Sequence, residues 1–278
     1  MVLTITAPLW SDISDRTERK LGVSSARLNF DGVAVELQMS GNDGLTVTSK
    51  PWWSQHGWGY VLLVDDFEGT LKWRQMAGTV TKASDPTFVL EGTSAMKLVT
   101  GAIAGNGASA DIRSIAPRNA VSWQGIEFWW DLTAAADATP RDFYMFWVIQ
   151  DRWFNYTVTF GIRYLNYDAT VQRRKFQYWS SGGAWADFMI PINRQIRIAD
   201  PMFNYFMLVL ERAGAAGYTY RLFGYGAESY NMVGIAGQAG AFGAAEQNIT
   251  IACTTDAAAA TTLYVDAFSL QDRTRGPA

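Results

Sequence analysis

From Tyr60 onward, apolar and polar positions alternate with a period of two through most of the chain, the pattern of half-buried strands. In "IEFWWDL", Ile126, Phe128, Trp130 and Leu132 fall on one side and Glu127, Trp129 and Asp131 on the other. In "YTVTFGIRY", Tyr156, Val158, Phe160, Ile162 and Tyr164 alternate with Thr157, Thr159, Gly161 and Arg163. The runs "DFYMFWVI" and "NYFMLVLE" are more evenly apolar, as strands covered on both faces should be. "RRKFQYW", "NITIAC" and "TLYVDAFSL" supply further strands, with Gly, Pro, Asp and Asn clusters between most of them. No segment after Tyr60 sustains a long 3.6-residue apolar period with capping residues. The pattern therefore predicts an all-β, antiparallel two-sheet sandwich with few and short helices.

Two intervals depart from it. Residues 1–59 carry few core-sized apolar runs and read as an N-terminal arm or extension, with the sandwich occupying residues 60–278. Within the extension, "SDISDRTERKLG" allows one or two helical turns ending at Gly22, and "ARLNFDGVAVELQM" reads as a hairpin turning at Asp31-Gly32. "SKPWWSQHGWGY" reads as an ordered loop anchored by its aromatic rings. The second interval, residues 213–247, is rich in Gly and Ala with Tyr218, Tyr220, Phe223, Tyr225, Tyr230 and Phe242 spaced through it. A structureless loop of that length is improbable in a compact domain. It reads as a hairpin plus an excursion that covers one end of the sandwich or lies on a neighbouring subunit.

Composition narrows the function classes. A formal net charge of −3 gives no electrostatic reason to expect nucleic acid or an anionic membrane as partner. The "QRRKF" patch does not change that, because alternation sends Arg173 and Lys175 to one side and Arg174 and Phe176 to the other. The only cysteine, Cys253, rules out an intrachain disulfide and a cysteine-based metal cluster, and reads as a small buried hydrophobe. The opening "MVLTITAPLWSDISDRTERK" lacks the basic head and apolar run of a secretion signal, so synthesis in the cytoplasm is expected and the sequons at Asn155 and Asn248 carry no meaning on that route. Aromatic residues make up 14% of the chain against 18% charged, with 12 Trp, which is more flat apolar surface than a core of this size requires. Part of it is expected to face a sugar, a partner or a second subunit.

The acidic turn in "VDDFEGTLKW", the "LEGTSAMKLVT" that follows and the closing "LYVDAFSLQD" together resemble the jelly-roll β-sandwiches of carbohydrate-binding modules and galactose-binding-like domains. The resemblance covers roughly Val64 to Asp272 and implies a jelly roll. It also implies a structural calcium between the first and last strands, with Glu68 and Asp266 as side-chain ligands, Asp66 as a further one, and backbone carbonyls completing the shell. The residues alone equally allow Asp65 and Asp66 at an exposed strand end, with Glu68 paired to Lys72 or an arginine.

Catalysis is not expected. His56, the single histidine, has no nucleophile in a recognisable motif near it. Glu127 and Asp131 share a strand side, but four residues at about 3.3 Å each put them roughly 13 Å apart, beyond the carboxylate spacing of glycosidases. Sugar binding is the function the resemblance implies, with rings stacking on sugar faces while amides and carboxylates take the hydroxyls. Trp147, Gln150, Asp151, Trp153, Tyr178, Trp179 and Trp185 are the candidates, because "FWVIQDRWFNY" and "FQYWSSGGAW" are placed to present them on one sheet face or rim.

Two functions follow. One is a non-enzymatic bacteriophage virion protein, decorating a capsid or building a tail or fibre. It would bind other virion proteins through the arm and the Gly/Ala-rich excursion, form a homo-oligomer such as a trimer, and leave the host by lysis. The other is a carbohydrate-binding module or lectin that recognises a surface glycan through exposed tryptophans. A virion appendage that binds glycans would combine them.

Overall fold

The computed structural model describes residues 25–30, 33–40, 44–49, 59–90, 92–115, 123–134, 141–151, 156–166, 175–188, 203–212, 217–226, 228–241, 246–255 and 258–273. The chain divides into two compact units, residues 1–60 with 277–278, and residues 61–276.

The first unit contains an antiparallel three-stranded sheet in which β1 (Ser25–Phe30), β2 (Val33–Ser40) and β3 (Gly44–Ser49) follow one another. Phe30 stands opposite Val33 as the innermost pair of the β1–β2 ladder, and the expected turn at Asp31-Gly32 lies outside the described residues. The register also sets Leu28 against Val35, Leu37 against Val47 and Met39 against Leu45. The segment up to Gly22 and the Trp-rich stretch with His56 lie outside the described residues.

The second unit is an antiparallel two-sheet jelly-roll sandwich. Its strands are β4 (Gly59–Asp65), β5 (Arg74–Ala77), β6 (Thr79–Ala83), β7 (Ala95–Val99), β8 (Gly107–Ile115), β9 (Trp123–Ala134), β10 (Arg141–Asp151) and β11 (Tyr156–Leu165). They continue with β12 (Lys175–Trp179), β13 (Trp185–Asp187), β14 (Asn204–Arg212), β15 (Tyr218–Tyr225), β16 (Glu228–Asn231), β17 (Gln238–Ala241), β18 (Glu246–Thr255) and β19 (Thr261–Arg273). The first sheet runs β13-β12-β11-β10-β18-β8-β5, with β17 also on β11. The second runs β16-β15-β14-β9-β19-β7-β6, with β4 also on β19. Among the described residues the helical content is one 3-10 turn, Pro86–Phe88, capped by the Asp85 carboxylate on the Thr87 amide. No helix among them is long and apolar enough to cross a membrane.

Alternation builds the core. Phe143, Met145, Trp147 and Ile149 of β10, with Phe160 and Ile162 of β11, meet Ile126, Phe128, Trp130 and Leu132 of β9 and Phe206 and Leu208 of β14, all of them buried. Trp130 stacks on Phe143 at 4.3 Å across the two sheets, and Phe128 stacks on Phe206, its neighbour within the second sheet, at 4.5 Å. Truncating one such ring to alanine costs roughly 3–5 kcal/mol. Cys253 sits in this core on β18, opposite Phe143 and Ala108, and burial pushes its thiol up to about 12.

The described part of the Gly/Ala-rich interval joins the sheets. The β15–β16 hairpin extends the second sheet, and β17 then pairs with β11 of the first, Gln238 opposite Thr159. Gly237 makes that passage feasible. A Cβ there would lie 2.6 Å from Phe160 Cε1, 2.7 Å from Val158 Cγ1 and 2.8 Å from the Thr159 carbonyl oxygen, distances no larger residue tolerates.

Candidate functional site

With Phe143, Met145, Trp147 and Ile149 turned inward, Tyr144, Phe146, Val148 and Gln150 occupy the outer face of the first sheet, where they are half-buried. The register carries that face across the neighbouring strands. Phe146 stands opposite Gly161, and Tyr144 opposite Arg163. Arg163 in turn stands opposite Gln177, Gln177 opposite Asp187, and Trp179 opposite Trp185. Three rings from three strands therefore converge. Phe146 lies 5.4 Å from Trp179 and 5.2 Å from Trp185, and the two indoles meet edge to face at 5.1 Å. Tyr144 adds a fourth ring, 5.9 Å from Phe146, and burial raises its phenol pKa, with Cys253 and Asp142 adding to the shift.

A polar rim borders the rings. The Arg163 guanidinium lies 4.7 Å over the Trp185 ring, a cation–π contact, while its Nε donates to Gln177 Oε1 at 2.8 Å. Gln177 Nε2 donates to Asp187 Oδ1 at 2.5 Å, and Lys175 Nζ donates to Asp187 Oδ2 at 2.8 Å. Hydrogen bonding from Lys175 and then Gln177 holds the Asp187 carboxyl below its usual pKa, so it stays an acceptor in neutral solution. Trp179 Nε1 donates to Gln238 Oε1 at 2.7 Å, which ties β12 to the returning strand β17. Flat apolar rings flanked by an amide, a guanidinium and a carboxylate suit a ligand with one apolar and one hydroxyl-bearing aspect.

The structure separates the residues that the sequence grouped. Trp179 and Trp185 come together on this face. Gln150 shares it but lies four residues beyond Phe146 along β10. Trp147 points the other way, with no exposed surface, its Nε1 donating to Gln247 Oε1 at 2.9 Å in the core. Tyr178 also turns toward the interior, against Phe188 and Tyr220. Asp151 is the last residue of β10, and Trp153 lies outside the described residues. Tyr144, Phe146, Arg163, Gln177, Asp187 and Gln238 were not among the expected site residues. The usable signal was strict alternation, which excludes Phe146 and Trp147 from sharing a face.

The acidic turn is engaged differently from a cation cage. Glu68 Oε1 accepts from the Thr93 amide at 2.6 Å and the Ser94 amide at 2.9 Å, and Oε2 accepts from Thr93 Oγ1 at 2.6 Å. Those donors hold its carboxyl below the usual range, the Thr93 hydroxyl first. Asp266 Oδ2 accepts from the Leu90 amide and Oδ1 from the Ala267 amide, both at 2.8 Å. Exposed Asp66 accepts from the Glu68 amide at 3.2 Å, and buried Asp65 from the Phe67 amide at 3.0 Å. Among the described residues no group of three or more His, Cys, Asp or Glu side chains is placed to hold a metal ion. Glu68 and Asp266 spend both carboxylate oxygens on N–H and O–H donors and Asp66 accepts one amide, so the three as arranged do not form the cage that the calcium implied by the resemblance would need. On the outer side of β9, Glu127 accepts from Tyr205 at 2.9 Å, Ser269 at 2.8 Å and Gln271 at 3.1 Å.

No protein-family model matches the chain, and no curated protein does. Similar solved structures include an endo-β-1,4-glucuronan lyase from the fungus Trichoderma reesei, at 13% identity and a TM-score of 0.42, covering 77% of this chain and 91% of that one. A lectin from Bauhinia forficata in complex with GalNAc has 10% identity and a TM-score of 0.42 over 76% of this chain and 96% of the lectin. The CBM22-1 xylan-binding domain from Paenibacillus barcinonensis Xyn10C has 16% identity and a TM-score of 0.36 over 78% and 97%. Likeness at this level carries no argument about what the chain binds.

Proposed function

We propose that this chain recognises carbohydrate on the outer face of the first sheet, and that the face binds without catalysing a reaction. The observation that carries the reading is the convergence of Phe146, Trp179 and Trp185, from β10, β12 and β13, on a half-exposed sheet surface rather than in the core. A solvated sheet face ordinarily carries small polar residues, and large rings gathered there are apolar surface held open for a partner. A pyranose ring offers a C–H face that stacks on such rings, and its hydroxyls match the Gln177, Asp187 and Gln238 groups at their border. The Bauhinia lectin holds GalNAc and the CBM22-1 domain binds xylan, but it is the aromatic face of this chain that supports the reading.

A virion role drew on the first 59 residues and on the Gly/Ala-rich stretch. The described strands of that stretch pair within their own chain, β16 on β15 and β17 on β11, and so need no neighbouring subunit to order them. The aromatic face supports carbohydrate recognition instead.

The test is affinity electrophoresis of the full chain through gels containing soluble glucan, xylan, galactan or glucuronan, followed by a glycan array. Retardation by at least one polysaccharide is expected. Trp179→Ala and Trp185→Ala should each weaken it about tenfold, the loss of one anchoring ring, whereas Trp147→Phe should lower stability and leave affinity unchanged. Absence of binding across gels and array would end this reading.

A further inference from the structure

The strand β11 changes partner part-way along. Its pairing with β17 ends at Thr159, opposite Gln238, and its pairing with β12 begins at Ile162, opposite Tyr178. The ladder pairs of β12 and β17 both stop short of Phe160 and Gly161, although a Cβ on Gly161 would lie 3.1 Å from Trp179 Cβ. At that break the side chain of Tyr220, from β15 of the other sheet, crosses the core with no exposed surface. Its hydroxyl oxygen accepts from the Gly161 amide at 2.8 Å and lies 2.9 Å from the Trp179 carbonyl oxygen and 3.1 Å from the Gly161 carbonyl oxygen. A phenol has one proton, and the nearer Trp179 carbonyl is its best acceptor. The ring is fixed edge-on against Phe160 at 4.9 Å and against Tyr178 at 6.0 Å. Burial raises the phenol pKa, so the proton that makes the bridge is retained.

We infer that Tyr220 is a positioning residue of the aromatic face. Its hydroxyl takes the place of a missing inter-strand bond and sets the distance between the Gly161 backbone, over which Phe146 lies, and the Trp179 backbone. The second sheet thereby fixes, through one hydrogen-bonded oxygen, the spacing of two rings on the far side of the first. This inference rests on the carbohydrate reading for its meaning in binding, but its geometry can be tested without a ligand.

The experiment compares the full chain with Tyr220→Phe and with Tyr164→Phe. The latter loses a buried tyrosine hydroxyl on β11, the strand that carries Gly161, bonded to Asn166 and away from the face. Both variants should lose some stability. Only Tyr220→Phe should lose most of the circular-dichroism exciton couplet of the Trp179–Trp185 pair, speed amide exchange at Gly161, and bind whichever polysaccharide retards the wild type about tenfold more weakly, the worth of roughly one buried hydrogen bond. A couplet and exchange rate unchanged in folded Tyr220→Phe would overturn the inference. If Tyr220→Phe does not fold, the wild type decides: slow exchange at Gly161 supports the bridge, and exchange as fast as an exposed amide refutes it. Loss of the couplet in Tyr220→Phe, with no polysaccharide bound by the wild type, would uphold the positioning role and sink only the carbohydrate reading.

Discussion

The rings of Phe146 and Trp179 meet at 5.4 Å across Gly161, the residue opposite Phe146 on the strand between them. Glycine in a strand interior forgoes a side chain's packing, and an aromatic neighbour lying over it restores the cover. A Cβ at this position would stand 2.8 Å from Phe146 Cδ1 and Cε1 and 3.1 Å from Trp179 Cβ. Gly161→Ala should therefore cost about 1–3 kcal/mol, as an overpacked site does, and should spread the rings enough to weaken polysaccharide binding. Urea unfolding beside affinity electrophoresis reads both effects. Wild-type values for both would show that the rings yield to a methyl group.

A second prediction concerns pH. Asp131, on β9 opposite Tyr264, is 1% exposed, and burial pushes its pKa up to about 7, which the Leu132 amide and the Arg141 charge offset only in part. The unfolded chain holds this group near 3.8, so the native state binds the proton more tightly. Its contribution is fully present below the unfolded value and is lost as pH rises through about 7. Glu68, Asp85 and Asp187 have lowered values, so their contributions fade only in more acid solution. The urea midpoint should thus fall between about pH 4.5 and about pH 7.5, by on the order of a few kcal/mol in stability. Asp131→Asn should flatten this slope and be the more stable protein at the upper end. A wild-type midpoint independent of pH over that range would show that Asp131 is solvated.

The acidic turn gives a third. Lys82 Nζ donates to the carbonyl oxygens of Glu68 at 2.8 Å and Gly69 at 2.9 Å, so an ammonium already sits on backbone oxygens that a cation would seek. Addition of calcium or of EDTA should leave the thermal midpoint where it is. Lys82→Met should lower it by a few degrees, roughly what one charge-assisted hydrogen bond contributes. A calcium-dependent rise would instead mean that Glu68 abandons Thr93 and Ser94 for an ion.

How far the site could be read in the sequence turned on which strands declare their phase. "YTVTFGIRY" has polar residues at every second position, and its inward set of Val158, Phe160, Ile162 and Tyr164 was legible from pattern alone. "DFYMFWVI" has apolar residues in both phases, so nothing local said whether Phe146 or Trp147 faced solvent. The register with β11 decides it, and register is a long-range property. The Tyr220 bridge was illegible for the same reason, since it joins residues 59 positions apart across the core. The acids at 65–68 stand out in the sequence, yet the amides that occupy Glu68 lie 25 and 26 residues away in a turn that alternation does not describe.

The last prediction follows from where the chain ends its path. β18 lies between β8 and β10, and β19 between β7 and β9, so two strands consecutive in sequence fill central places in opposite sheets. Until they arrive, each sheet has an open edge in its middle. β19 alone brings Leu263, Val265, Phe268 and Leu270, all with no exposed surface. At about 2 kcal/mol per buried side chain, these approach the roughly 5–15 kcal/mol that stabilises a whole domain. A chain ending before Thr261 should therefore show no cooperative thermal transition and should aggregate through the exposed edges of β7 and β9. Removing residues 1–58 takes away no strand of either sheet, and that chain should keep a cooperative transition in circular dichroism. Because the closing strands come late and pair with segments far back in sequence, refolding of the intact chain should be slow for its size. A C-terminally truncated chain that still melted cooperatively would mean that the sheets can close without their central strands, against the register observed.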